Sequence, residues 1–146
     1  MGRSISFWSS IGFSTSSKRT PPAPSGRGAK HRKVSCLFIT PLSCSLVGMT
    51  MEVSIKPGSR AAADYQAARS MEKFYCNFGL NPEYQEQLEN GGLLVTGKDQ
   101  NGEARIVELA KHSFFAGTLF VPQARSAAGN PHPLILEFCR AAIAIP

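Results

Sequence analysis

Apolar and polar residues alternate through Met51-Glu52-Val53-Ser54-Ile55, the pattern of a half-buried strand, and Pro57-Gly58 stops it. Upstream, Leu37-Phe38-Ile39 is a short apolar run ended by Pro41, and Ser45-Leu46-Val47 leads into Gly48. Ser59 is placed to cap a short helix through Ala61–Tyr65. Met71–Asn77 reads as a strand rich in aromatics. Asn81-Pro82-Glu83 is a helix start: a capping Asn, Pro at the first helical position, and an acid near the positive end of the dipole. Tyr84 and Leu88 share a face of that helix, and Gly91-Gly92 ends it. Leu93–Thr96 and Ala104–Leu109 flank Asp99-Gln100-Asn101-Gly102, whose Asn-Gly pair predicts a hairpin. Phe115–Phe120 reads as a short buried strand. Pro133–Ala144 reads as a helix turning Leu134, Ile135, Phe138, Ala141, Ala142 and Ile145 toward the core.

Strands interleaved with two or three helices predict an α/β layer with a mixed sheet. The number of elements is low for a free-standing layer, because each apolar face needs a partner. The strand near Cys36 has the pattern of a central one with nothing before it to pair. The chain therefore reads as part of a fold.

Charge divides the 146 residues in two. The formal net charge is +6, yet residues 1–35 hold seven basic groups and no acid, which leaves residues 36–146 at −1. The basic segment contains nine Ser, three Pro and four Gly, with no apolar period able to bury a face, so disorder is expected there. Three readings of this Ser/Arg-rich tail stand side by side: a plain tail or mis-assigned start, an organelle-import segment, and a patch for an anionic partner. Residues 36–146 are long enough for one modest core. They show no basic face with interleaved aromatics, which argues against a nucleic-acid partner. No apolar run approaches the roughly 20 residues of a membrane span. The cysteines at 36, 44, 76 and 139 form no C-x-x-C and no zinc-finger spacing, so reduced, mostly buried thiols in the cytoplasm are expected.

Several runs fall in one order: Asn81-Pro82-Glu83-Tyr84, Leu88 to Leu93, Thr96-Gly97, Val107-Glu108-Leu109, His112 to Phe115, Thr118 to Gln123, and His132-Pro133-Leu134 with Phe138. Together they resemble the C-terminal half of the glutamine amidotransferase domain of CTP synthase, and a diverged group of CTP synthase C-terminal-related proteins. Pro41 to Gly48 and Lys56 to Arg60 resemble that group too. The resemblance runs from about Leu37 to Ala142. It implies the C-terminal part of a class I glutamine amidotransferase-like, flavodoxin-like three-layer domain. The activity it brings is that of a glutamine-hydrolysing ligase of pyrimidine nucleotide biosynthesis. It implies ATP, UTP and Mg2+ only where a synthetase partner is present. A synthetase-domain chain or a second copy is the partner to expect, with a small molecule as ligand.

The family's glutamine hydrolysis needs a Cys thiolate on a G-x-C-x-G turn, and a His with an orienting Glu in an F-H-P-E run. Here the second run reads Phe120-Val121-Pro122-Gln123, and no cysteine has Gly two residues away on both sides. Val121 has no proton to exchange, and Gln123 has no charge to stabilise an imidazolium. The basic residues of the family's glutamine-carboxylate run are replaced by Phe74, Tyr75, Cys76 and Asn77. No catalytic residue and no metal ligand are expected, and the activity is expected to be lost. Cys76 and Asn77 are the candidate ligand-binding positions. His132 is expected to satisfy the helix entry, and His112 to lie in an exposed turn.

Overall fold

The computed structural model describes residues 37–144, so the expectations for the tail, Cys36 and Ile145 lie outside the described residues. In chain order these hold β1 (Ile39–Pro41), β2 (Thr50–Ile55), α1 (Arg60–Tyr65), β3 (Arg69–Lys73), β4 (Phe78–Leu80), α2 (Gln85–Asn90), β5 (Leu93–Lys98), β6 (Ala104–Leu109), β7 (Ala116–Thr118) and α3 (Pro133–Ile143). Short 3-10 turns occupy Pro82–Tyr84 and Pro122–Arg125.

Five strands form one sheet in the order β3-β2-β5-β6-β7, and β1 pairs with β4 in a separate two-stranded sheet. Every strand pairing among the described residues is antiparallel, so the expected mixed sheet is not what these strands form. The links from β5 to β6 and from β6 to β7 are too short for the crossover that parallel neighbours need. Nor is the strand after Cys36 central: β1 is three residues long and its partner among the described residues is β4.

The hairpin forms where Asn101-Gly102 predicted it. Gly102 takes φ +79, which side-chain-bearing residues adopt rarely, and its N–H donates to the Asp99 carbonyl at 3.0 Å. β6 breaks the two-residue alternation, since Arg105, Ile106, Val107 and Glu108 are all buried. It is the inner strand between β5 and β7 and is covered on both faces. With Val53, Ile55, Phe74, Val95, Leu119 and Phe120 it makes the core.

Two expected elements shift. The aromatic-rich strand ends at Lys73, and Phe74 makes a single bridge to Phe120 instead. After the break the chain re-enters a ladder as β4, an element the apolar pattern does not announce. α3 has the expected extent, but Leu134 is its buried residue; Phe138 is 57% exposed, Ala142 is exposed, and Ile135 and Ala141 are half-buried. α3 packs on α1 and on the Pro122–Arg125 turn, and these cover its beginning far better than its end.

Candidate functional site

Ser70, Glu72 and Phe74 point to one face of the β3 segment, as strand alternation requires. Glu72 is fully buried in the middle of that face. A buried carboxylate must be paired or hydrogen-bonded, and four side chains from four parts of the chain do this. Ser70 Oγ donates to Glu72 Oε1 at 2.8 Å. The Tyr65 hydroxyl, from the last residue of α1, donates to the same oxygen at 2.9 Å. Arg125 places Nη2 at 3.4 Å from it, while its Nη1 donates to the Met71 carbonyl at 2.8 Å. His132 Nε2 lies 3.2 Å from Oε2 and 3.3 Å from Oε1.

The proton on His132 can be placed. Its Nδ1 accepts the Leu134 N–H at 3.3 Å, capping α3, and a carboxylate can only accept. Nε2 therefore carries the proton and donates to Glu72. His132 thus satisfies the helix entry, as expected, and it also anchors the buried acid. Burial alone would raise the Glu72 pKa; the hydrogen bonds donated by His132, Ser70 and Tyr65 outweigh it and hold the carboxyl below its usual range. The Tyr65 hydroxyl is driven well above the ordinary phenol range by burial and then by the Glu72 charge.

Beside this cluster lies a half-open cleft of about 240 Å³ lined by Arg125, Asn130, Pro131, His132 and Pro133. The 121–123 slot is close by: the Val121 N–H donates to the Lys73 carbonyl at 2.9 Å, one residue from Glu72. Val121 is half-buried and Gln123 exposed. Neither side chain can exchange a proton in the working pH range.

Cys76 and Asn77 do not line this cleft. Cys76 is half-buried with Sγ donating to the Phe78 carbonyl at 3.1 Å, and Asn77 is exposed. Their carbonyls accept the N–H groups of Leu46 and Leu42, at 3.1 and 2.9 Å. Cys44, Cys76 and Cys139 are free thiols, but Cys44 and Cys139 are exposed, which corrects the expectation of burial. His112 is exposed, as expected, and its Nδ1 accepts the Phe114 N–H at 3.2 Å. Among the described residues, no group of three His, Cys, Asp or Glu side chains is placed to hold a metal ion. Nor is any helix among them long and apolar enough to cross a membrane.

Sequence reasoning missed the centre of the site. Ser70 and Glu72 do alternate with Phe74, a legible sign of a polar stripe on a buried face, but Tyr65 and His132 come from outside the strand. It also missed Glu108, which accepts the Arg60 and Ala61 N–H groups at 3.1 and 2.8 Å and the Thr96 hydroxyl at 2.8 Å, so β6 fastens the start of α1. Asp99 likewise accepts Arg105 Nε and Nη2 at 3.1 and 2.7 Å in a buried pair beneath the hairpin turn.

No protein-family model matches the chain. It is 36% identical over 104 residues to a CTP synthase of Cytophaga hutchinsonii, covering 67% of this chain and 19% of that protein. It is 31% identical over 113 residues to a CTP synthase of Helicobacter pylori, covering 77% and 21%. A CTP synthase of Chlamydia trachomatis is 41% identical over 89 residues, covering 60% and 16%. The chain thus spans about a fifth of the length of the curated relatives it matches. Among solved structures, the Trypanosoma brucei CTPS glutaminase domain with bound acivicin superposes with a TM-score of 0.64 at 24% identity, covering 68% of this chain and 40% of that one. The C-terminal portion of the chain is therefore similar in sequence to the CTP synthases, and its α/β fold is that of a CTP synthase glutaminase domain.

Proposed function

We propose that this chain is a catalytically degenerate glutaminase-like unit that serves as a binding or structural protein. The observation that carries the reading is the pair of side chains at Val121 and Gln123, in the run where the family's His and Glu stand. The arrangement around them supports it. The His and Glu of the buried cluster, His132 and Glu72, bond to each other in the interior. A general base must reach its substrate's proton, and these two are occupied in holding α3 to β3. The half-buried Cys76 has no flanking glycines and donates to a carbonyl. Free thiols at Cys44 and Cys139 suit a reducing, cytoplasmic setting. A glutaminase assay on the purified chain tests the reading. No turnover of glutamine is expected; turnover abolished by Cys76→Ala would overturn it.

A second reading is supported by the names of the relatives. The chain would be a subunit or homologue of CTP synthase, acting with a synthetase-domain chain that supplies the nucleophile and the sites for ATP, UTP and Mg2+. Co-elution with such a chain, with gain of CTP formation, would favour it over the binding or structural role.

A further inference from the structure

Glu72, Glu108 and Asp99 each sit buried with several donors aimed at them, and Asp64 differs from all three. Asp64 lies in α1, the helix that packs against α3, and its Oδ2 is buried with no hydrogen-bond partner. An ionised oxygen so placed loses its hydration and receives no hydrogen bond in return. The groups around it do not compensate. Glu137 faces it from α3 and Glu108 from β6, both acids, and Tyr65 adjoins it along α1. Arg60, the cation of α1, stands 5.4 Å over the Phe114 ring, and Arg140 of α3 is paired with Glu137.

We propose that the Asp64 carboxyl is a proton-operated latch between α1 and α3, closed when protonated and loosened when ionised. Protonation removes the partly desolvated charge of this half-buried side chain and its repulsion from Glu137, and supplies an O–H that can donate. Burial and then the Glu137 charge push the Asp64 pKa up from 3.8 to about 6, against the opposing pull of Arg60 and with a further push from Glu108. The sign follows: an acid with a raised pKa favours the docked helix at low pH and withdraws that support as pH rises through about 6. The effect reaches past α3 itself. His132 begins that helix, so a loosened α3 also loosens the imidazole from Glu72.

Amide hydrogen exchange of the α3 backbone in the full chain, corrected for the intrinsic rate, tests the latch between pH 4.5 and 7.5. Protection of Leu136–Ile143 is expected to fall about 10- to 100-fold across that range, the span that a shift of this size allows. Asp64→Asn is expected to flatten the profile at its acid-side value. Glu137→Gln is expected to move the transition to lower pH and shrink it. An unchanged fall in Asp64→Asn would overturn the latch. So would an Asp64 carboxyl that titrates near its ordinary 3.8 by carbon NMR in the unmodified chain. That direct titration decides the matter even where the Asn variant does not fold.

Discussion

Two places one residue apart along a backbone contact show opposite uses of polar chemistry. At Glu72 a buried acid is satisfied by Tyr65, Ser70, His132 and Arg125, contributed by α1, β3, the start of α3 and the 3-10 turn before it. At the adjoining slot, Val121 and Gln123 offer no proton and no charge, although Val121 is bonded to the backbone of Lys73. Charge is kept where it ties elements together and is absent where the family's chemistry would use it. That contrast is what the proposed binding or structural role predicts.

The largest expected effect lies on the retained side. His132→Ala takes away one of the four side chains that hold the buried Glu72, and removes the α3 cap as well. A hydrogen bond to a charged group is worth about 1.5–3 kcal/mol and a helix cap about 1 kcal/mol, so urea denaturation should show a loss of about 2.5–4 kcal/mol. A loss under about 1 kcal/mol would mean that the cluster does not hold the fold, and the comparison would collapse. Glu108→Ala is next. It orphans the Arg60 and Ala61 N–H groups and the Thr96 hydroxyl, at about 2–3 kcal/mol by the worth of hydrogen bonds to charged groups. The exposed Arg69–Glu52 pair is the control: at 3.2 Å it has similar geometry, yet Glu52→Ala should cost about 0.2–1 kcal/mol.

Acid and base should act on the buried Glu72 and the half-buried Asp64 with opposite sign. Glu72 has a lowered pKa, so its stabilisation is present above its unfolded value of 4.5 and is lost as pH falls through the folded value below that. Asp64 has a raised pKa, so stability falls as pH rises from 3.8 through about 6. Denaturant midpoints should therefore peak between about pH 3.8 and 4.5, where the Glu72 gain nears completion and the Asp64 loss begins, and should decline toward pH 6. Asp64→Asn should extend the plateau toward neutral pH and leave the acid limb where it was. An acid limb that moved with Asp64→Asn would show that the two carboxyls titrate as one unit.

What the sequence made legible is what short-range chemistry decides. Ser59 caps α1 by accepting the Ala62 N–H at 3.1 Å, Asn81 accepts the Glu83 N–H at 3.1 Å, and Asn101-Gly102 turns the hairpin. β4 escaped because its three residues, Phe78-Gly79-Leu80, are too few for a period and are set by their β1 partners. The core face of α3 was misjudged because apolar spacing says which residues share a side and nothing of what covers it; Phe138 stays largely exposed, edge-on to Phe114 with ring centres 5.8 Å apart. The centre of the site was least legible. Glu72 and His132 are 60 positions apart, and Arg60 and Glu108 are 48 apart. Such pairs are made by the fold, and no local pattern marks them.

The smallest expected effect on stability falls in the slot itself, and it sharpens the comparison most. Val121→His with Gln123→Glu writes the family's His and Glu back into the run. Gln123 is exposed and Val121 half-buried, so the double variant should change stability by about 0.5 kcal/mol or less, the range of surface substitutions. It should also gain no glutamine turnover. A base speeds reaction only with a nucleophile in hydrogen-bond reach, and the half-buried Cys76 is committed to the Phe78 carbonyl at 3.1 Å. A burst of ammonia from the double variant, lost again on Cys76→Ala, would show that a nucleophile had been waiting for its base. The emptied slot would then be the sole lesion, and the chain a disarmed enzyme one step from activity.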